Sequence, residues 1–583
     1  MTRRNSIKVG LIVGLAILAG LIALTWWHWQ KPQGELTATT RGTGAPLTAE
    51  QQSVDFTHAD LTFRVDPGRK SIQGRSILSF DVRRPIQRIQ FDLDRNLPIE
   101  SIAVDGTPLE EGRWSNPEGR ATVELPRAYQ PGQRLQLAIA YGGKPHVAKN
   151  APWDGGFVWD KTPDGQPWIA TAVQGEGCDI FWPCFDNSLV EIGTVDLHID
   201  VPEGLVAPAN GRFMGMTQGD EGRRVWNWRT QRPNNYAISL NIAPYKEIRA
   251  DYRSRFGNVI PMHFWYLPGN EDKAKALFTE FAPTLDFFER VIGPYPFANE
   301  KVAAVETPHL GMEHQTINAY GNEYKPSAEG YDWLFSHEFA HEWFGNQLTN
   351  RDWDDMWLHE GIGSYMQPLY IRERQGELLY NAMLWKQRGG LLNKFPIVSG
   401  KSRLEHEVYN PETGPGGDIY AKGSLIMHTL RGYMGDEPFF RAVRRLVYGR
   451  PDPAPGNFSP RYGTTNEFQA IASQEAGRDL KWFFDVYLRS AQLPRLVEQR
   501  QGNAVQLQWR TQNNRPFPMP VDVRVDGQVQ TIPMTGGRGS FTLPDSNSGW
   551  TLDPNGKLLR QNDAVDRFRD WSKAEAEKAA KKS

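Results

Sequence analysis

The sequence predicts a multidomain α+β protein, and three observations predict it. Strand-type alternation dominates residues 49–246, a helical period sets in near 271 within the block 247–492, and alternation returns over 493–560. A fourth feature precedes them. Val9 to Trp27 is a run without a single charge, long enough for a single transmembrane helix of about 20 residues.

The elements follow in chain order. Arg3, Arg4 and Lys8 stand before the apolar run, and positive charge stays cytoplasmic. Residues 1–29 therefore read as a membrane anchor with a cytoplasmic N-terminus, and the rest of the chain is expected outside. A cleavable signal peptide has an apolar core of only about 7–15 residues, so the anchor reading is favoured. Residues 30–48 are rich in Thr, Gly and Pro and read as a linker.

In 49–246, Val195, Leu197, Ile199 and Val201 alternate with Asp196, His198 and Asp200, the pattern of a half-buried strand. Asp105-Gly106 and Asp164-Gly165 mark turns, and the segment reads as an antiparallel β domain. Cys178 and Cys184 lie within it. On one extended strand they would stand about 20 Å apart, whereas a disulfide needs Cα atoms within about 7 Å; the geometry favours two buried thiols.

The period changes near 271, where Leu277, Phe278, Phe281, Leu285, Phe288 and Ile292 repeat at helical spacing with Pro283 as a kink. Helices are expected through 332–347, 358–388, 418–434, 437–449 and 465–490, the last capped by Thr464 or Thr465. In the small C-terminal β-sandwich, Val521, Val523 and Val525 run into Asp526-Gly527 and then Val529, a hairpin signature. Residues 561–583 form a charged tail of helical character. The 66 basic and 68 acidic side chains nearly cancel, so the balance shows no basic field for nucleic acid.

The chemistry concentrates in SHEFAHEWFGN, residues 336–346. On a helix, His337 and His341 share one face and can hold one zinc ion; Glu338 lies beside the metal without binding it. Glu360, in WLHEG, follows His341 after 18 intervening residues and supplies a third ligand from the next helix. Two His and one carboxylate leave a fourth position for water, the arrangement of a catalytic zinc, one per chain.

These residues resemble the gluzincin zinc aminopeptidases, the family of membrane alanyl aminopeptidase and leukotriene hydrolase. His337, Glu338, His341, Trp343, Gly345 and Asn346 match H-E-x-x-H-x-W-x-G-N, and Trp357, Leu358, Glu360 and Gly361 match W-L-x-E-G. The resemblance implies a β saddle domain over 49–246, a thermolysin-like catalytic domain over 247–492 and a β-sandwich. It also implies a short form without the large helical C-terminal domain of many relatives.

The family pattern carries further residues. LGMEH at 310–314 is similar to G-x-M-E-N, which implies that Gly311, Met312 and Glu313 meet the substrate and that Glu313 binds its amine. His314 and Leu310 depart from that pattern. Gln174-Gly175-Glu176 resembles Q-x-E/Q, implying that Gln174 lines the cleft and that Glu176 pairs with Glu313 around the amine. Asp179 and Ile180 depart from the basic residue common after that element. Tyr420, with Lys422 and Gly423, matches Y-x-K-G and is implied as the donor to the developing oxyanion. The expected activity is removal of N-terminal residues from peptides by a membrane-anchored zinc enzyme. A zinc endopeptidase with the same metal site, or a non-catalytic binding protein on this fold, are the alternatives.

Overall fold

The computed structural model describes residues 34–580 apart from residues 221 and 457. The expected anchor at Val9–Trp27 and residues 30–33 of the linker lie outside the described residues; the rest of the linker is no free tether, since Leu36 is buried in the core of the β-rich part and Thr43 N donates to the Gly175 carbonyl at 3.2 Å. Among the described residues no helix is long and apolar enough to cross a membrane.

The N-terminal part is built on an eight-stranded sheet. Its order is Arg212–Gln218, Arg223–Gln231, Thr194–Pro202, Val54–Asp66, Ser71–Val82, Arg134–Gly143, Ile99–Val104 and Thr107–Pro108. All neighbours are antiparallel except one pair. Val54–Asp66 and Thr194–Pro202 run parallel, His58 facing Thr194 and Arg64 facing Asp200, which corrects the all-antiparallel expectation. The chain between those strands is long enough for the crossover that parallel pairing needs. A smaller sheet of Gly156–Lys161, Pro167–Ala172 and Asn241–Ile242 leads directly into Gln174.

Cys178 and Cys184 form a disulfide with Cα atoms 6.3 Å apart, correcting the expectation of free thiols. The segment is not extended. Cys178–Ile180 is a 3₁₀ turn, and Cys184 pairs back onto Asp92 in an antiparallel bridge. The turn folds six residues of chain onto themselves, which a strand cannot do.

A five-stranded mixed sheet opens the central part: Lys246–Arg253, Val259–Tyr266, Val302–Glu306, Asn318–Tyr320 and Gly311–Met312 at the edge. It forms the seam of the molecule. Ala303 and Val305 join the core of the β-rich part, while Val302 and Ala304 join the core under the helices. Every residue of Val302–Glu306 is buried, so the strand shows no alternation of polarity, and a period-2 search passes over it.

Helices supply the rest of the central part. The expected helix over 358–388 is two, Trp357–Gln375 and Glu377–Gly389, broken at Gly376 with φ 91°. The one over 465–490 breaks likewise at Gly477, giving Thr465–Ala476 and Lys481–Tyr487; the Thr464 side chain caps the first, accepting from Glu467 N at 3.1 Å. Pro283 does not kink a helix. It sits in the first turn of Phe281–Val291, where its missing N–H costs nothing, after a break from Glu271–Phe278.

Two three-stranded sheets form the C-terminal β unit. Val521–Val525 and Gln528–Ile532 pair through Asp526-Gly527, whose φ values of 47° and 88° suit a two-residue hairpin turn. The charged tail is helical over Asp563–Ala580.

Candidate active site

The short helix Trp333–Ala340 begins where Asp332 accepts from Phe335 N at 2.9 Å. Phe335 and Phe339 bury its apolar side, with Phe335 stacked 4.3 Å from Phe281. The opposite side carries His337, Glu338 and His341 towards a cavity of about 510 Å³. The same cavity is lined by Gln174, Gly311, Met312, Glu313, Glu360 and Tyr420. Of the residues expected to bind metal, catalyse or meet the substrate, Glu176 alone does not line it.

The expected metal ligands converge. His337 Nε2 stands 3.3 Å from His341 Nε2 and 3.4 Å from Glu360 Oε2, and the remaining side of that triangle is 3.5 Å. Ligand atoms held about 2.0–2.2 Å from a tetrahedral zinc stand roughly 3.3–3.6 Å from one another, so the triangle has the required size. Glu360 Oε2 is buried without a hydrogen-bond donor, an acceptor left free for a cation. The residues present fit zinc.

Their surroundings fix these ligands. His341 Nδ1 lies 2.9 Å from the Phe344 carbonyl and donates to it, which leaves Nε2 as the ligand atom. His337 Nδ1 meets the Gln367 amide at 3.2 Å. Tyr409 donates to Glu360 Oε1 at 2.9 Å and so turns Oε2 inward. Glu360 and Tyr420 sit on different helices whose glycines touch. A Cβ on Gly361 would stand 2.9 Å from the Gly423 Cα, and one on Gly423 would stand 2.7 Å from the Gly361 Cα. Both motif glycines are therefore contact points that bring the two helices together. Lys422 takes no part in the cavity; it is buried and donates to the Ala491 carbonyl at 2.7 Å.

The site is electrically negative. Burial opposes charge on His341, yet Glu313, Glu360 and Glu338 together push it up to about 10. Burial also works against Glu360, but the neighbouring imidazoles hold it well below the usual carboxylate range. Glu338 lies far above that range, first through burial and then through the carboxylates of Glu313 and Glu360. This is the potential that a divalent cation neutralises.

Glu313 follows the edge strand Gly311–Met312 and is buried at 4% exposure. Its carboxylate accepts from Gln174 Nε2 at 2.7 Å and from Tyr236 Oη at 3.3 Å, and burial raises its pKa. Asn346, the last residue of the signature, donates to the Glu313 carbonyl at 3.0 Å, tying the metal motif to the edge strand. Gly311 must be small, since a Cβ there would stand 2.4 Å from Glu338 Oε1. Trp343 stacks 4.9 Å from Phe288 and braces the turn from behind.

Gln174, rather than Glu176, meets Glu313. The Glu176 carboxylate accepts from Gly155 N, and burial pushes its pKa up to about 7. His314 is fully buried with both ring nitrogens unpartnered and is held neutral, its pKa near 3 through burial and then His309. Tyr409, Tyr236, Gln367 and Glu405 belong to this site and were not found in the sequence. None stands at a spacing that local structure would reveal.

This fold and this site resemble those of gluzincin-type metallopeptidases. The Peptidase family M1 domain matches residues 284–487. The chain is 23% identical over 439 residues to puromycin-sensitive aminopeptidase of Caenorhabditis elegans, covering 70% of this chain and 44% of that protein. It is 25% identical over 321 residues to aminopeptidase N of Streptomyces lividans, covering 51% of this chain and 35% of that one. A crystal structure of an M1 zinc metallopeptidase mutant from Deinococcus radiodurans, bound to a Tyr-Ser-Ala substrate, has a similar fold. Its TM-score is 0.63 at 23% identity, covering 78% of this chain and 98% of that one. The family match is confined to residues 284–487 and the curated relatives lie at 23–25% identity, so over that part the chain is similar to the M1 aminopeptidases. It spans less than half the length of the two curated relatives.

Proposed function

We propose that the protein is a membrane-anchored zinc metallo-aminopeptidase that removes N-terminal residues from peptides outside the cytoplasm. The observation that carries this reading is Glu313, buried beside the metal triangle with Gln174 and Tyr236 on its carboxylate. An ammonium is costly to bury unpaired, and this carboxylate offers it a partner at a fixed distance from the metal.

When bound by His337, His341 and Glu360, zinc supplies a Lewis acid that polarises the scissile carbonyl and acidifies a water. Glu338 takes the proton of the attacking water and passes it to the leaving amine. Burial among carboxylates raises its basicity, as that task requires. Tyr420 aims its phenol into the cavity and donates to the developing oxyanion. Glu313 holds the α-amine, so that only the first peptide bond reaches Glu338. The apolar run at Val9–Trp27 supports the anchor, and the basic residues before it support an external catalytic part.

The test is hydrolysis of one peptide by the zinc-loaded protein with its N-terminus free and acetylated. Stepwise release from the free peptide alone is expected. Internal cleavage of both overturns the aminopeptidase reading, and a mature chain beginning near Thr39 in the membrane-extracted protein overturns the anchor.

A further inference from the structure

Glu405 opens the short helix Glu405–Tyr409 and lines the same cavity as the metal triangle. It stands four residues before Tyr409, on the same face, and Tyr409 reaches Glu360. Its carboxyl carbon would lie 3.8 Å from a Cβ on Gly175, which places it against the wall that carries Gln174. Among the described residues no hydrogen bond or ion pair reaches its carboxylate. The charge that acts on it is Glu176, itself turned to Gly155 N.

The other acids of the cavity have tasks. Glu360 takes the metal, Glu338 the proton and Glu313 the amine. Among the described residues no Lys or Arg lines the cavity, so none of them offsets Glu405. The same wall continues to Trp153, which is 62% exposed at the cavity's rim and presents a flat face on which a long cationic side chain can lie.

We infer that Glu405 is a specificity-determining residue whose carboxylate receives the cationic side chain of a substrate's first residue, arginine or lysine. This rests on the aminopeptidase reading. Burial, then Glu176, pushes the unoccupied Glu405 up to about 8; an entering guanidinium or ammonium supplies the missing counter-charge and ionises it.

The test uses the zinc-loaded full chain and aminoacyl-coumarin substrates of arginine, lysine, leucine and glutamate. The expected result is kcat/KM at least about tenfold higher for arginine and lysine than for leucine, the size of one charge-assisted hydrogen bond. Glu405→Gln should erase that ratio by lowering kcat/KM for arginine and lysine about tenfold more than for leucine, and Glu405→Lys should reverse it towards acidic first residues. An unchanged arginine-to-leucine ratio in Glu405→Gln overturns the proposal, as does an equal fall on every substrate. Calorimetric binding of free L-arginine against L-leucine gives a second readout. Arginine preference without any hydrolysis keeps the subsite and removes the aminopeptidase reading; hydrolysis with flat selectivity and flat binding removes only the subsite.

Discussion

The floor and the wall of the cleft both present buried carboxylates to the substrate, but they hold them by different means. The floor is two packed helices. His337, Glu338 and His341 are placed by helical spacing, and Glu360 by one glycine contact between Gly361 and Gly423. The wall is assembled from distant pieces: a loop after Pro167–Ala172, a disulfide, and a five-residue helix bearing Glu405. Local geometry fixes the floor, whereas the wall depends on long-range closure. On the proposed function, reaction chemistry falls to the first and substrate choice to the second.

The largest expected effect tests that division at the floor. Glu338→Gln should retain zinc and lose about a thousandfold in kcat, because no other group on the floor can accept the proton. Zinc retention measured by elemental analysis together with normal turnover would reject the assignment. Glu313→Ala, at the join of floor and wall, should lower kcat/KM for free-amine peptides by about 10- to 100-fold while leaving zinc content unchanged. If the preference for a free over an acetylated N-terminus survives, the anchor lies elsewhere. Tyr409→Phe removes the bond that turns Glu360 towards the metal, and should weaken zinc about tenfold in competition with a chelator. An unchanged affinity would mean that helix packing alone orients Glu360.

The wall responds differently. Replacing both Cys178 and Cys184 with Ser should cost about 2 kcal/mol, the loop-closure value for so short a loop. The loss should appear as a raised KM with kcat and zinc content preserved. A fall in zinc content instead would show that wall and floor are one mechanical unit.

Legibility in the sequence follows the same line. The convergence of His337, His341 and Glu360 beside Glu338, and the hairpin at Asp526-Gly527, were readable because a helix turn or a hairpin turn translates spacing into geometry. Tyr236 and Tyr409 were not, since each reaches its carboxylate across a large sequence separation that no local period encodes. The seam strand Val302–Glu306 was hidden by burial on both faces, and the disulfide by a turn that the extended-strand assumption excludes. Glu176 and Gln174 show the finer limit. A three-residue motif locates the wall, yet which of its side chains meets Glu313 depends on Gly155 drawing Glu176 away.

The smallest effect concerns what holds the wall besides the disulfide. Asp186 is buried behind it, pushed up to about 7 by burial and then by Asp92, with Thr43 Oγ1 donating to it at 2.9 Å and Arg120 opposing the shift. Asp179 beside it is raised further, by burial and then by Asp186, Asp92 and Asp94. A carboxyl whose pKa is higher folded than unfolded binds its proton more tightly in the native state. Its contribution is complete below the unfolded value of about 3.9 and is lost as pH rises towards the folded value. The melting temperature should therefore fall between pH 5 and pH 7.5, and Asp186→Asn should flatten that fall by removing the titrating group while keeping its shape. Because the disulfide closes the loop covalently, the acid cluster should add to it rather than replace it. The slope in the Cys178→Ser/Cys184→Ser variant should match that of the parent. A steeper slope there would mean that the disulfide and the carboxyl cluster hold the wall cooperatively.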